Sequence, residues 1–232
     1  MCIIELMKKQ VLMFKKISNK SGFLLVNKLE GPTSHDIIDK LRKITGIRKI
    51  GHAGTLDPFA SGLLICAIGR EATREISQFV KLDKIYVARL RLGAVSDTYD
   101  STGKIKENYE LRIRNQELDL KKIKNIINSF IGEQNQLPPM FSAKKIKGRK
   151  LYELARAGKT IKRKPHKIKI YYIKLLKLKY PYLDLEIKCS SGTYIRTLAH
   201  DIGQKTGFGA YLEKLNRIAI GKFKLTQATI DL

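Results

Sequence analysis

The sequence predicts an α+β fold in which helices flank a mixed, largely antiparallel sheet. Three observations carry that expectation. Short apolar runs alternate with amphipathic stretches, but without a steady strand–helix–strand rhythm. Several of the strand candidates come as neighbouring, hairpin-like pairs. The chain is 232 residues long and 43% hydrophobic, enough to bury a sizeable core in one domain.

Taken in order, "GFLLVNKLEGPTS" reads as a short buried strand that ends in a Gly-Pro turn. Thr33 or Ser34 then caps a helix, "HDIIDKLRKITG", whose Ile37, Ile38, Leu41 and Ile44 share a face and which Gly46 closes. "GLLICAIG" is apolar on both faces, as a central strand is. "REATREISQFVKL" reads as one helix. In "DKIYVARLRLG", Tyr86, Ala88, Leu90 and Leu92 alternate with Ile85, Val87, Arg89 and Arg91, the pattern of a half-exposed strand. "LDLKKIKNIINSFIG" is amphipathic, with Asp119 to cap it and Gly132 to end it. "IKIYYIKLLKLKY" and "LDLEIKCSS" form two strands joined by a Tyr-Pro-Tyr turn, and "GTYIRTLAHDIGQKTG" runs from a turn into a helix. No internal repeat or low-complexity linker interrupts this order.

Charge is the strongest global signal. Forty-six Lys and Arg against 21 Asp and Glu leave a net +25, an excess that calls for a polyanionic partner, most simply nucleic acid. The plain alternative is lysines that merely solvate the surface. Three cysteines, Cys2, Cys66 and Cys189, are widely spaced and form no CxxC pair. That argues against a disulfide framework or a zinc site and suits a reducing, cytoplasmic setting. No apolar run approaches the ~20 residues needed to cross a bilayer. The opening "MCIIELMKKQVLMFKKISNKSG" lacks an unbroken apolar core and a small-residue cleavage site, so residues 1–22 are expected to be a flexible N-terminal extension.

Chemistry concentrates in two stretches. "GHAGTLDPFASGLL" lacks the Gly-Lys-Ser/Thr ending of a phosphate-binding loop, and His52 with Asp57 alone supplies too few ligands for a metal. Asp57 precedes Pro58, which favours an extended backbone, and small residues around it leave room for a ligand. An Asx-turn aspartate is the plain reading. The buried strand that follows favours instead a positioned catalytic group. In "CSSGTYIRTLAHDIG", Tyr194 and Arg196 stand two apart and would share one side at a strand end. A buried arginine there would orient an aspartate by a two-pronged hydrogen bond, though capping or phosphate contact is equally compatible with the spacing. Tyr86 is by pattern a packing residue of its strand. In "NQLPPMFSAKKIKGRK", prolines and apolar residues precede Lys144, Lys145, Lys147, Arg149 and Lys150, which suggests a mobile arm that grips a phosphate backbone rather than a solvated loop.

These motifs resemble those of the TruB-type tRNA pseudouridine synthases. The resemblance extends from "GFLLVNKLEGPTSHDII" to "LEKLNRIAIGKF", and its most specific element is "GHAGTLDPFASGLL". "DKIYVARLRLGAVSDTYDSTG", "PPMFSAKKIKGRKLYELARAG" and "CSSGTYIRTLAHDIGQKTGFGAYLEKLNR" agree with the family in order and spacing. The resemblance implies the pseudouridine-synthase fold and isomerisation of the uridine at position 55 in the TΨC arm of tRNA, with neither cofactor nor metal. It makes Asp57 the nucleophile and His52 a support for the flipped-out base. Tyr86 stacks on that base, Tyr194 lines the pocket, Arg196 pairs with the aspartate, and Leu215 supplies an apolar wall. The implied partner is the TΨC stem-loop of tRNA, with no membrane, no obligate protein partner and a monomeric enzyme.

On the same basis, residues 23–232 form the catalytic domain, with an RNA-gripping insertion at about 134–165. The chain ends at "KFKLTQATIDL", where family members usually continue into a PUA-type RNA-binding domain, so that domain is expected to be absent. Asn216 stands where an arginine is common, which implies a weaker RNA contact. Two other classes compete: the eukaryotic and archaeal relatives guided by small RNAs, which share a Gly-Thr-Leu-Asp-Pro core, and an RNA-folding chaperone.

Overall fold

The structure is a computed structural model that describes residues 21–107, 119–141, 145–146, 149–150, 161 and 163–232, without side chains for 145–146 and 149–150. The expected extension up to residue 20 lies outside the described residues, as do Lys144 and Lys147. Two compact units emerge: the described chain up to Tyr86 together with Asn216–Leu232, and Val87–Leu215.

The first unit is built on β1 (Gly22–Lys28), α1 (Ser34–Thr45), β2 (Ile50–His52) and β3 (Ser61–Ile68). Thr33 caps α1 through a reciprocal pair of hydrogen bonds with Asp36, and Gly46 ends the helix in the left-handed conformation. Ser34 is thereby left free for a different task, taken up below. Strand β1 runs antiparallel to β3 over its whole length, from Gly22 opposite Ile68 to Lys28 opposite Gly62. The central strand is apolar on both faces, as its sequence predicts. Leu64, Cys66 and Ile68 pack with Ile37, Ile38 and Leu41 of α1, while Leu63 and Ile65 pack with Phe23, Ile76 and Phe79. Fully burying each of these aliphatic side chains contributes about 1.5–3 kcal/mol. "REATREISQFVKL" forms two short helices rather than one, α2 (Arg70–Glu75) and α3 (Ser77–Val80). Near the junction the amides of Phe79 and Val80 both turn to the Ile76 carbonyl.

Strand β4 (Lys84–Leu92) begins in this unit and continues into the second, where β5 (Ala94–Ser96), β6 (Ile105–Glu107), α4 (Leu120–Asn128), β7 (Gly132–Gln136), β8 (Lys145–Ile146) and β9 (Arg149–Lys150) follow. After them come β10 (His166–Lys179), β11 (Tyr182–Cys189) and α5 (Ile195–Thr206). Strand β4 alternates as predicted, with Tyr86, Ala88, Leu90 and Leu92 buried. The strand order in this unit is β4–β11–β10–β7, and β10 runs antiparallel to both β11 and β7. Helix α4 packs against β10 and α5 through a face that buries Ile123 and Ile127. Asp119 caps it, but it ends at Asn128, short of Gly132, which instead opens β7 with a positive φ.

The chain returns through β12 (Ala210–Ile220), whose end lies in the first unit with β13 (Phe223–Lys224) and β14 (Ile230–Asp231). Here β12 pairs in parallel with β3 through Asn216 and Arg217, and β14 pairs in parallel with β1. The β1–β3, β2–β3, β5–β6, β8–β9, β7–β10, β10–β11 and β12–β13 pairs are antiparallel, so the architecture is the mixed, largely antiparallel α+β arrangement the sequence predicts. Among the described residues no helix is long and apolar enough to cross a membrane.

The β3–β12 pairing depends on Gly62. Its φ is +111°, and an added Cβ would collide with the backbone of Arg217 and the side chain of Asn216. Gly62→Ala combines overpacking with an unfavourable backbone region, so a loss of about 2–4 kcal/mol in stability is expected. Urea unfolding reads this directly, and an unchanged midpoint would show that the two strands are not closely apposed.

Candidate active site

The stretch around Asp57 is held at the backbone on both sides. His52 ends β2 opposite Cys66, and the next amide, Ala53, donates to the Ile65 carbonyl at 2.8 Å. The chain then leaves the sheet at Gly54, where φ is +94°. Arg217, only 1% exposed, reaches this turn from β12: its Nη2 donates to the Gly54 carbonyl at 3.0 Å and its Nε to the Leu63 carbonyl at 2.8 Å. Just before Asp57, one hydroxyl satisfies both backbone groups of Leu56. Ser34 Oγ accepts from the Leu56 amide at 2.9 Å and donates to the Leu56 carbonyl at 3.1 Å. Just after Asp57, the Pro58 carbonyl accepts from the Gly31 amide at 2.9 Å and from Lys28 Nζ at 3.3 Å.

Lys28 is fully buried at the end of β1. Its ammonium also donates to the carbonyls of Leu29 (2.9 Å) and Pro32 (2.8 Å), so it ties the loop before α1 to the Asp57 loop. Burial pushes its pKa down to about 8, against the opposing fields of Asp57 and Glu30. Asp57 itself is half-buried and lies within the field of this ammonium. Burial first, then the charges of Arg217 and His35, hold His52 below the ordinary histidine range. His52 is therefore a neutral imidazole at neutral pH, and its buried Nδ1 has no hydrogen-bond partner among the described residues. Tyr86 is 8% exposed on the buried face of β4, at the last residue of the first unit.

Tyr194, Arg196 and Leu215 fall in the second unit. Tyr194 and Arg196 do not end a strand, as their spacing suggested. Tyr194 is the N-cap of α5 and Arg196 lies in its first turn, where residues two apart do not share a face. Gln136, at the end of β7, clamps the Tyr194 backbone with both ends of its amide: Oε1 accepts from the Tyr194 N–H at 2.8 Å and Nε2 donates to its carbonyl at 3.0 Å. Arg196 is 5% exposed and pairs with Asp100, Nη1 to Oδ2 at 3.0 Å. Its Nη2 donates to the Phe141 carbonyl at 2.8 Å. Leu215 is buried on β12. Among the basic positions of the expected RNA-gripping arm, Lys145 pairs with Lys150, and Arg149 with Ile146, as backbone rungs of a small hairpin; the side chains of Lys145, Arg149 and Lys150 lie outside the described residues. Among the described residues no three His, Cys, Asp or Glu side chains gather as a metal ion requires.

Sequence reasoning did not single out Lys28, Asp100, Gln136 or Arg217, and it offered Ser34 only as a helix cap. A lysine that closes an apolar strand was a usable signal for Lys28, because such a side chain must find partners where the strand ends. Asp100 sits in a run of hydroxyls and acids, "SDTYDSTG", a pattern suited to a self-bonded polar turn. Gln136 and Arg217 left no such mark, because their partners are backbone groups distant in sequence.

With this geometry in view, the comparisons with known proteins are specific. Residues 42–195 match the family described as TruB family pseudouridylate synthase, N-terminal domain. The tRNA pseudouridine synthase B of Protochlamydia amoebophila (strain UWE25) is 48% identical over 208 residues, 90% of this chain and 77% of that protein. That of Chlamydia pneumoniae is 44% identical over 209 residues, 90% of this chain and 86% of that protein. Among solved structures, a chain in the crystal structure of a Cbf5–Nop10–Gar1 complex superposes with a TM-score of 0.69 at 30% identity, covering 90% of this chain. This chain spans about half of that one, 51% of its length. The fold is thus that of the pseudouridine synthases, and the match over most of its length makes this chain a member of the TruB family of pseudouridylate synthases.

Proposed function

We propose that this protein converts the uridine at position 55 in the TΨC arm of tRNA to pseudouridine, with Asp57 as the nucleophile. The observation that carries this reading is the half-buried carboxylate of Asp57, held between two pinned backbone positions and backed by a buried ammonium. Such preorganisation is what a single nucleophile needs.

The chemistry asks for one carboxylate. In the net reaction the N1–C1′ bond breaks, a C5–C1′ bond forms, the proton on C5 leaves and N1 gains one. No water is consumed, so the second carboxylate with which a glycosidase activates water is not required. Asp57 attacks the ribose or the base to free the uracil for rotation. The target nucleotide first leaves its stack, at a cost of a few kcal/mol that phosphate contacts from a chain of charge +25 offset. His52, neutral and partly buried, supports the flipped base by packing and hydrogen bonding rather than as a cation. Tyr86 stacks on the base and is a candidate for proton transfer, while Tyr194 and Leu215 line its pocket. Arg196 pairs with Asp57. Lys144, Lys145, Lys147, Arg149 and Lys150 grip the RNA backbone. The enzyme works in the cytoplasm as a monomer, without an obligate protein partner, cofactor or metal, and residues 23–232 form its catalytic domain.

Two experiments test this reading. Asp57→Ala is expected to lower turnover by about 10⁴-fold or more while tRNA binding stays within a few-fold. A tritium-release assay on a bare tRNA transcript measures it, and near-wild-type turnover overturns the assignment of Asp57. The bare transcript also separates this reading from its competitors: a guide-dependent enzyme is inactive on it, and an RNA chaperone folds tRNA equally well without Asp57. Lys28→Met leaves three carbonyls short of a buried donor, at a cost of about 1–3 kcal/mol for each group that finds no other partner. The pH dependence has a definite sign. Lys28 titrates at about 8 when folded and near 10.5 when unfolded, so between those values the unfolded chain holds the extra proton and the contribution of Lys28 to stability rises with pH. The stability gap between wild type and Lys28→Met is therefore expected to widen from pH 7 to pH 10 in urea titrations. A constant gap would contradict the burial of the ammonium.

A further inference from the structure

Tyr99 is the one non-glycine residue with positive φ among the described residues, at +66°. A bulky side chain there is an outlier that persists only where its surroundings hold it. Its ring stacks on His200, with centroids 4.0 Å apart and planes 16° from parallel. The next residue, Asp100, is 2% exposed and pairs with Arg196. His200 and Arg196 are four positions apart on α5, one helical turn, so they lie on the same face. Two successive loop residues therefore engage two successive turns of one helix. Extended backbone would send their side chains to opposite sides. The left-handed twist at Tyr99 is what turns both toward α5.

The rest of the loop holds this arrangement. Asp100 Oδ1 accepts from Thr98 Oγ1 (2.8 Å), the Thr102 amide (2.9 Å) and Thr102 Oγ1 (2.6 Å), leaving Oδ2 for Arg196. On the other side, the Leu212 amide donates to the Tyr99 carbonyl at 2.9 Å and the Ser101 amide to the Leu212 carbonyl at 3.1 Å, bracketing Asp100 against β12. Burial holds His200 below the ordinary histidine range, against the opposing field of Asp201, so the stacked ring is a neutral imidazole.

We propose that the Tyr99–His200 stack is a latch that, with the Asp100–Arg196 pair one helical turn away, fixes the orientation in which Arg196 acts. Tyr99 and His200 are then positioning residues that act through Asp100 and Arg196. The catalytic part of this proposal rests on the pseudouridine-forming reading above; the latch itself does not.

Three single variants and the Tyr99→Gly/His200→Ala double variant test it. Tyr99→Phe keeps the ring, Tyr99→Gly removes the ring and relieves the backbone, and His200→Ala removes the partner. Tyr99→Phe is expected to stay within about twofold of wild type in single-turnover rate on tRNA. Tyr99→Gly and His200→Ala are expected to fall by about tenfold or more with tRNA affinity nearly unchanged, and the double variant no further than either single one. Hydrogen exchange gives a readout independent of activity: the Thr102 amide loses protection in Tyr99→Gly and keeps it in Tyr99→Phe. A wild-type rate in folded Tyr99→Gly, a loss confined to tRNA affinity, or additive losses in the double variant overturns the positioning role. If wild-type protein forms no pseudouridine, the functional reading fails, and exchange at Thr102 alone decides whether the latch exists.

Discussion

The fixed backbone on either side of Asp57 is the constraint on which the first unit depends. A carboxylate in a turn rich in small residues has many conformations open to it, and each backbone residue held in one of them costs about 1–2 kcal/mol of conformational entropy. The chain meets that cost with groups that are buried for other reasons. Ser34 begins α1, but because Thr33 takes the capping role, its hydroxyl is available to both backbone groups of Leu56. Lys28 ends β1, and because the strand stops there its ammonium reaches three carbonyls, one of them on Pro58. The same elements that build the core place Asp57, so its position is as rigid as the packing of α1 and β1 on β3.

Two buried cations, Lys28 and Arg217, would be an unfavourable arrangement if each needed its own ion pair. Here both are held mainly by carbonyl oxygens. Arg217 is 1% exposed and donates to Gly54 and Leu63, and Lys28 donates to Leu29, Pro32 and Pro58. Carbonyl dipoles satisfy the N–H groups without neutralising the charge, so each cation keeps a positive field that acts on its neighbours alongside the opposing charges of Asp57 and Glu30. That field is visible in its neighbours: Arg217 contributes to the lowered pKa of both His52 and Lys28.

Much of the fold was legible in the sequence, and the reasons are local. The apolar face of α1, the two-sided apolar run of β3 and the alternation along β4 each declare their environment within a few residues. The split between α2 and α3 and the early end of α4 were not legible, because they turn on single backbone hydrogen bonds rather than on side-chain pattern. The candidate site divides in the same way. Asp57, with Pro58 after it and glycines around it, marked itself. Ser34, Gln136 and Arg217 act on backbone groups up to 163 residues away, as Arg217 does on Gly54, and nothing in the local pattern announces such partners.

The second unit makes the distinction sharper. Arg196 was expected to pair with Asp57; within its own unit it pairs with Asp100, a partner the sequence did not point to. What the spacing could not convey is that Tyr194 and Arg196 serve the start of a helix, where the first residue is fixed through its backbone by Gln136 and the other through its side chain by Asp100. A strand end would have offered both side chains to one surface. A helix start separates them, so each needs its own support, and the chain provides it from β7 in one case and from the turn after β5 in the other. The added polar partners are therefore a consequence of the helix, and a sequence that placed these two residues on a strand would have had no need of Gln136 or of the left-handed turn at Tyr99.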